Sequence, residues 1–253
     1  TLMDGKLADQ VVTDPPYNVA YVGGQDSAMT ILNDNMSDAN FYQFLLDFYT
    51  HWMTHTKPGG AWYVWHANSE GANFMSAYKK AGLLLKQIII WVKNQIVMGR
   101  QDYQWQHEPC IYGWKPGASH FFIDDRKQST VIEDRINTAK MSKQQLRAML
   151  DKLLEDKIET TVWHEDKPTR SDEHPTMKPV KLIARCIRNS SRVGEIVADG
   201  FAGSGTTMLA SHQLGRVCYA MELHPPYCQE IVDRMIKFEP TIVVKINGEQ
   251  YHG

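Results

Sequence analysis

Apolar residues near the start of the chain form a short run that a buried strand would accommodate. Val11 and Val12 suit a strand, but Pro15 and Pro16 cannot donate hydrogen bonds to a sheet ladder, so the strand must end near Asp14. Beyond it, apolar positions alternate between helical spacing and short continuous runs. They predict a helix that carries residues 41–48 with Asp38 as its N-cap, a helix over 70–81, and strands over 61–66, 84–92 and 108–114.

The pattern changes between residues 124 and 172, where charged residues are dense and balanced in sign. Ser142 is placed to cap a helix whose apolar positions share one face, so this segment predicts a helical insert. After residue 179 the order of strands and helices resumes. It predicts helices over 180–189, 206–214 and 227–237, and strands over 195–199, 216–222 and 241–246.

This repeated order predicts an α/β fold with a parallel, doubly wound sheet. The chain divides into two pieces of one domain and an insert between them: residues 1–123, 124–172 and 173–253.

Composition adds few restrictions. The 253 residues are 43% hydrophobic and 22% charged, which is ordinary for a globular protein. No apolar run approaches the roughly 20 residues of a membrane span and no secretory leader is visible, so we expect a cytoplasmic protein with no membrane partner. The chain begins with Thr1 rather than Met, so we expect further N-terminal sequence to precede it. Four scattered cysteines lack zinc-site spacing, which predicts reduced thiols and no metal: Cys110, Cys186, Cys218 and Cys228.

The net charge of −2 excludes a generally basic, histone-like binder, but the charge is unevenly distributed. Residues 1–78 carry two Lys or Arg against eight Asp or Glu, whereas residues 79–127 carry eight against four and residues 167–192 carry seven against two. Two basic segments on an otherwise acidic chain are consistent with one positive face for a polyanion. Solvated helix surfaces explain the same counts equally simply.

The sequence D-P-P-Y places a carboxylate, two stiff carbonyls and an aromatic ring at the end of the first strand. In open α/β sheets, ligands bind at the carboxyl ends of the strands. An isolated Asp-Pro is also a common start of a surface turn, so this motif alone leaves both interpretations open.

A second candidate site follows the strand over 195–199, where Asp199 opens a turn that contains Gly200, Gly203 and Gly205. Glycines let backbone approach a ligand closely, and Glu222, at the end of the next strand, is placed to accept two ribose hydroxyls. The turn fits a nicotinamide or flavin dinucleotide, S-adenosylmethionine, or simply a tight connection. Because Asp199 would repel a pyrophosphate but suits an ammonium and a sulfonium, it favours S-adenosylmethionine.

Three motifs in one order resemble those of a known family. D-P-P-Y at residues 14–17, H-P-T-M-K-P at 174–179 and D-G-F-A-G-S-G-T-T at 199–207 are similar to motifs of the DNA amino-methyltransferases. These enzymes transfer a methyl group from S-adenosylmethionine to the exocyclic nitrogen of adenine or cytosine. The motif order resembles the beta group, whose chain is circularly permuted relative to other methyltransferases. The resemblance therefore implies a Rossmann-like methyltransferase sheet with a small helical target-recognition insert.

The resemblance also implies roles for individual residues. The Asp14 carboxylate and the Pro15 carbonyl would accept the two amine hydrogens and free the nitrogen lone pair, Pro16 would hold the backbone rigid, and Tyr17 would stack on an extruded base. Residues implied in cofactor binding are Asp199, Phe201, Gly203, Gly205, Thr206, Glu222, His174, Thr176 and Lys178.

Double-stranded DNA is the partner that the resemblance implies, and a homodimer is an open alternative to a monomer. Residues 101–109 also resemble phage-borne and prophage-borne members, so we expect a bacterial or phage-infected cell. Candidate DNA contacts are Arg100, Tyr103, Trp105, Lys140 and Lys143, for which packing or plain solvation is an equal alternative.

Asp at the first motif position favours adenine N6 as the methylated atom, and cytosine N4 is the close alternative. Two readings from other classes remain open. A dinucleotide-dependent oxidoreductase would use the same glycine turn but leaves D-P-P-Y unexplained, and a catalytically idle DNA-binding relic would have no need of intact acids at Asp14, Asp199 and Glu222.

Overall fold

The computed structural model describes residues 2–20, 34–97, 102–125, 127–133 and 178–250. These parts of the chain contain strands and helices in alternation. Their bounds in chain order are β1 Ala8–Thr13, α1 Asp38–Thr54, β2 Thr56–Trp65, α2 Gly71–Lys80, β3 Leu84–Val97, β4 Trp105–Trp114, β5 Val131–Glu133, α3 Val180–Ser190, β6 Ile196–Asp199, α4 Thr206–Gln213, β7 Val217–Ala220, α5 Pro225–Phe238, β8 Lys245–Ile246 and β9 Glu249–Gln250.

Seven strands form one central sheet in the order β5-β3-β4-β2-β1-β6-β7. Strand β1 pairs in parallel with both β2 and β6, whereas β4 runs antiparallel to both of its neighbours. The prediction of an entirely parallel sheet is therefore wrong at β4. Only residues 98–104 join β3 to β4, and a parallel pair needs a crossover of about a dozen residues or more.

Helices cover both faces of the sheet, as predicted for a doubly wound fold. Alternation along the strands sends Val11 and Trp62 to the face covered by α1 and α2, and sends Val12 and Tyr63 to the face covered by α3. All four of these side chains are buried. The strands are apolar on both faces because each face supports a separate hydrophobic core.

Helix α1 begins at Asp38, one residue earlier than an N-cap at Asp38 would place it. The N-cap is Ser37, whose hydroxyl accepts a hydrogen bond from the Asn40 amide at 3.4 Å, so the prediction of Asp38 as the N-cap is wrong. Ser37 has the extended backbone of a cap, while Asp38 lies in the first helical turn, where a carboxylate interacts favourably with the helix dipole.

The predicted insert over 124–172 is described only in part. Within it, β5 adds to the edge of the central sheet by pairing in parallel with β3. Residues 134–172, including the predicted helix after Ser142, lie outside the described residues, so the division of the chain into two pieces and an insert remains a prediction. Across the described residues no helix is both long and apolar enough to cross a membrane.

Gly113 in β4 tests the packing between β4, β3 and α2. A Cβ built on it would lie 2.0 Å from the Leu84 carbonyl oxygen and 2.8 Å from the Tyr78 hydroxyl. We expect Gly113→Ala to lower the free energy of unfolding by about 3 kcal/mol in urea titrations, because backbone must move. Gly71→Ala is the matched control, since its Cβ makes contacts no closer than 3.4 Å. Equal stability of the two variants would contradict this packing.

Candidate functional site

A single cavity of about 890 Å³ lies at the carboxyl ends of β1 and β6. Its walls include the D-P-P-Y residues that follow β1 and the turn that follows β6, although the two motifs are far apart in the sequence. The connection from β1 to β2 passes through α1 on one face, and the connection from β6 to β7 passes through α4 on the other. The gap between β1 and β6 is therefore the switch point at which α/β sheets bind ligands.

Asp199 joins the two strand ends. Its Oδ1 atom accepts hydrogen bonds from the Thr13 hydroxyl at 2.9 Å and from the Phe201 amide at 3.0 Å. Burial raises the pKa of Asp199 to about 6, although hydrogen bonds from the Phe201 amide, Thr207 and Thr13 oppose this shift. The carboxylate is therefore poorly solvated, and a cationic ligand group beside it would compensate the buried charge.

Glu222 fixes the shape of the glycine turn from the end of β7. One carboxylate oxygen accepts from the Gly203 amide and the other from the His224 amide, each at 2.8 Å. Each oxygen keeps a further lone pair for a ligand hydroxyl. Gly205, by contrast, is the left-handed N-cap of α4, and a Cβ on it would meet Ile231, so its glycine is required by backbone conformation and packing.

Arg234 of α5 supports the same turn from behind. Its guanidinium donates to the Ser204 carbonyl at 2.8 Å and lies 3.3 Å from the Thr206 hydroxyl. No sequence pattern marks Arg234. An arginine that packs against a turn cannot be told from an arginine that faces solvent on an amphipathic helix until its packing partner is known.

Helix α1 also contacts the glycine turn that follows β6. A Cβ on Gly200 would lie 2.5 Å from the Phe48 ring and 3.0 Å from the Trp52 indole nitrogen, so only glycine permits this approach. The Phe201 ring packs on Phe48 with ring centroids 4.8 Å apart. Phe201 is therefore held by α1, and Phe44 of the same helix lines the cavity.

The Asp14 end of the cavity contains a compact set of charged and polar groups. Asp14 Oδ1 accepts from the Tyr17 hydroxyl at 2.6 Å, and Asp14 Oδ2 accepts from the Lys178 ammonium. Lys178 Nζ also lies 2.8 Å from the Tyr17 hydroxyl and 3.2 Å from Glu108 Oε2. Glu108 forms a further ion pair with Lys93 through its other oxygen. We call these five residues the Lys178 cluster.

Opposite charges keep Lys178 and Glu108 ionised despite their burial. Burial lowers the pKa of Lys178, but Asp14 and Glu108 outweigh burial and hold it above the ordinary value. Burial likewise raises the pKa of Glu108, but Lys178 and Lys93 outweigh it and bring the pKa to about 2. The pKa of Tyr17 is raised by burial and by the nearby carboxylates, so the phenol remains a neutral hydrogen-bond donor.

Lys178 lies in the wall of the cavity. The resemblance implies that it binds the cofactor, and its ammonium lies against Asp14, Tyr17 and Glu108, so its role in cofactor binding remains a prediction. Glu108 and Lys93 were not among the predicted site residues. No local sequence pattern marks Glu108, which directly follows the alternating rings of Tyr103, Trp105 and His107.

The remaining predicted residues are less informative. Tyr103 is 90% exposed, and Trp105 is partly buried with its ring edge-on to His107 at 5.6 Å. Neither arrangement tests DNA contact, which remains a prediction. Five predicted residues lie outside the described parts of the chain: Arg100, Lys140, Lys143, His174 and Thr176.

Comparison with known proteins identifies the family. The chain matches the profile of the N6/N4 methyltransferases, described as DNA methylase, over residues 8–233. The protein belongs to this family. The amino-methyltransferase resemblance of the three motifs is thereby confirmed, while a phage or prophage origin remains a prediction.

Curated relatives of this methylase are distant in sequence. The chain is 25% identical over 232 residues to the type II methyltransferase M.HpaI of Haemophilus parainfluenzae, covering 90% of this chain and 68% of the relative. It is 23% identical over 243 residues to the type II methyltransferase M.BglII of Bacillus subtilis, covering 92% of this chain and 64% of the relative. The DNA adenine methyltransferase YhdJ of Escherichia coli K12 is 25% identical, covering 87% and 73%. The chain thus spans 64–73% of the length of these relatives.

Solved structures share the fold. The M1.HpyAVI–SAM complex matches with a TM-score of 0.64 at 21% identity, covering 92% of this chain and 90% of that one. The cytosine-N4-specific PvuII DNA methyltransferase matches with a TM-score of 0.61 at 15% identity, covering 92% and 82%. These matches confirm the predicted α/β, Rossmann-like class of this methylase.

Asp199 makes the stability of the methylase depend on pH. Its pKa rises from an ordinary 3.8 to about 6 in the folded protein, so its stabilising contribution is present below pH 3.8 and is lost as pH rises through 6. We expect Asp199→Asn to gain about 2 kcal/mol relative to the wild-type protein between pH 4.5 and 7.5 in urea titrations. The exposed-site variant Asp47→Asn should follow the wild-type protein. A difference between Asp199→Asn and wild type that does not change with pH would refute the buried-carboxylate assignment.

Proposed function

We propose that the protein methylates the exocyclic N6 of adenine in double-stranded DNA, with S-adenosylmethionine as the methyl donor. One observation carries this proposal: a single cavity brings the Asp14–Tyr17 hydrogen bond together with the Asp199 turn and Glu222. Because all three belong to one space, an acceptor group for an amine lies within reach of a nucleoside-binding turn.

The residues at the turn fit the proposed cofactor. Asp199 is a buried carboxylate whose pKa is raised, so it suits a cationic group, and Glu222 has oxygen lone pairs left for ribose hydroxyls. Among the described residues that line the cavity, five acids accompany a single lysine: Asp14, Asp34, Glu108, Asp199, Glu222 and Lys178. This balance disfavours a pyrophosphate and therefore a dinucleotide-dependent oxidoreductase.

The chemistry at Asp14 follows from hydrogen bonding. S-adenosylmethionine, when bound, would supply an electrophilic methyl group: the nitrogen–methyl bond would form as the sulfur–methyl bond breaks, the thioether would leave as a neutral product, and the amine proton would pass to solvent. An exocyclic amine is a weak nucleophile because its lone pair is delocalised into the ring. Asp14 accepts an amine hydrogen and thereby favours the pyramidal nitrogen on which the lone pair is available. Since Tyr17 and Lys178 already orient the carboxylate, it needs no rearrangement during the reaction.

The target base must leave the helix to reach this carboxylate. The Tyr17 ring lies beside Asp14 in the cavity wall and is braced edge-on by Phe74 at 6.4 Å. A fixed aromatic ring at this position offers a stacking surface for an extruded base, worth about 1–3 kcal/mol. DNA is therefore the proposed partner, and a homodimer remains an open alternative.

Adenine is favoured over cytosine by the Asp at the first motif position and by the name of the relative YhdJ, a DNA adenine methyltransferase. Cytosine N4 is retained as the second candidate, because the PvuII enzyme with the same fold is cytosine-N4-specific.

Product analysis tests the proposed function directly. DNA amplified in vitro, which carries no prior methylation, is incubated with the protein and S-adenosylmethionine and then digested to nucleosides for mass spectrometry. We expect N6-methyldeoxyadenosine. N4-methyldeoxycytidine would replace adenine by cytosine, and the absence of both would refute the methyltransferase proposal. A thermal-shift panel with NAD, NADP and S-adenosylmethionine separates the oxidoreductase alternative, for which only a dinucleotide would stabilise the protein.

Asp14→Asn separates methyl transfer from cofactor binding. The amide keeps the shape of the carboxylate, but its oxygen is drawn to Lys178 and its NH2 group then faces the amine, so acceptance of the amine hydrogen is lost. We expect the single-turnover rate to fall by about 100-fold or more, with S-adenosylmethionine affinity within about threefold of wild type. The control is Asp47→Asn on the exposed face of α1. A parental rate for Asp14→Asn would remove Asp14 from the mechanism.

A further inference from the structure

Lys178 has no donor to spare for a substrate. Its side chain is 5% exposed, and its three N–H groups face Asp14 Oδ2, the Tyr17 hydroxyl and Glu108 Oε2. An ammonium whose donors are all directed at protein acceptors does not read the edge of a base. Its position instead determines how Asp14 and Tyr17 are oriented.

Glu108 contacts Lys178 from β4, whereas Asp14 and Tyr17 follow β1. It lies in β4, two strands away from β1, and its carboxylate bridges Lys178 on one oxygen and Lys93 on the other. Its Oε2 is also 3.4 Å from the Tyr17 hydroxyl. Glu108 therefore holds the ammonium from a different strand of the sheet than the one that precedes Asp14, and the pairing of β4, β2 and β1 fixes the spacing of the two backbones.

Charge gives this bridge a second effect. The amino nitrogen gains positive charge as it is methylated, and a buried ammonium beside Asp14 opposes that change. A second carboxylate on the same ammonium reduces this opposition, because Asp14 and Glu108 together offset the positive charge of Lys178. Without Glu108, the Lys178 cluster would hold two cations, Lys178 and Lys93, against the single carboxylate of Asp14.

We propose that Glu108 is a positioning residue for methyl transfer, acting through Lys178 to orient and balance the charge of the Asp14 carboxylate. This inference rests on the proposed function and deepens it. Glu108 belongs to none of the three motifs that define the family resemblance, and it makes none of the turn contacts formed by Asp199 and Glu222.

The test compares Glu108→Gln, Glu108→Asp and wild type in single-turnover methylation of the same unmethylated DNA, together with S-adenosylmethionine binding by calorimetry. We expect Glu108→Gln to transfer the methyl group about 10- to 100-fold more slowly with unchanged cofactor affinity, because Asp14 loses its fixed orientation and balanced charge. Glu108→Asp keeps the charge and should lie between the two. A purely structural role would instead lower cofactor affinity and rate together.

Glu195→Gln is the matched control, because Glu195 pairs with Arg192 near the amino end of β6, away from the cavity. It should retain the parental rate. If Glu108→Gln does not fold, as judged by circular dichroism, Glu108→Asp decides alone: a slower transfer at unchanged affinity supports the proposal, and a parental rate overturns it.

A double-mutant cycle tests the route through Lys178. In the Lys178→Met background, the further change Glu108→Gln should alter the rate by less than about threefold, since the bridge is already absent. If the rate losses of Glu108→Gln and Lys178→Met instead multiply in the double variant, Glu108 does not act through Lys178. The wild-type protein distinguishes the two levels of the argument: no methylated nucleoside from wild type refutes the proposed function, whereas an active wild type with an equally active Glu108→Gln refutes only this inference.

Discussion

Parallel pairing of β1 with β6 is the constraint on which the rest of the site depends. Gln10 and Val11 are in register with Val197 and Ala198, so both strands end at the same edge of the sheet. The hydrogen bond from Thr13 to Asp199 then joins residues 186 positions apart in the chain. A shift of either strand by one residue would send each of its side chains to the opposite face of the sheet, into a differently shaped core. This register therefore fixes the separation between the Asp14 end and the glycine turn more firmly than any loop could.

The second constraint is the burial of ionisable side chains, and it explains why oppositely charged groups occur together at the site. A lone buried lysine would lose its proton, and a lone buried carboxylate would gain one. Lys178 and Glu108 remain ionised because each compensates the other. Asp199 has hydrogen-bond donors but forms no ion pair within the described parts of the chain, and its pKa rises to about 6. The charges at the Asp14 end of the cavity are thus neutralised by the protein itself, while Asp199 at the other end is a buried acid whose charge a cationic ligand would compensate.

Much of this site could be predicted from sequence, because its signals are local. Two consecutive prolines cannot continue a sheet ladder, and a glycine turn between a strand and a helix is recognisable from its residues. Asp14 and Asp199 were therefore predicted at strand ends, and both line one cavity. The direction of β4 and the role of Glu108 depend on which strands become neighbours. Periodicity records which face a residue occupies but not what stands across from it, so the partner of Glu108 could be found only once β4 was paired beside β2.

The Asp14 segment and the glycine turn are also held together by packing between elements that are distant in the chain. Helix α1 belongs to the piece that carries Asp14, yet its Phe48 and Trp52 fill the space that a Cβ on Gly200 would occupy. The turn after β6 therefore depends for its shape on a helix that precedes it by some 150 residues in the chain. Because these contacts require only that β1 and β6 be neighbours, the catalytic motif can come before or after the cofactor motif without changing the site. A permuted motif order is thus compatible with the same chemistry, since the sheet register and the Phe48–Gly200 contact, and not the connecting chain, position the reacting groups.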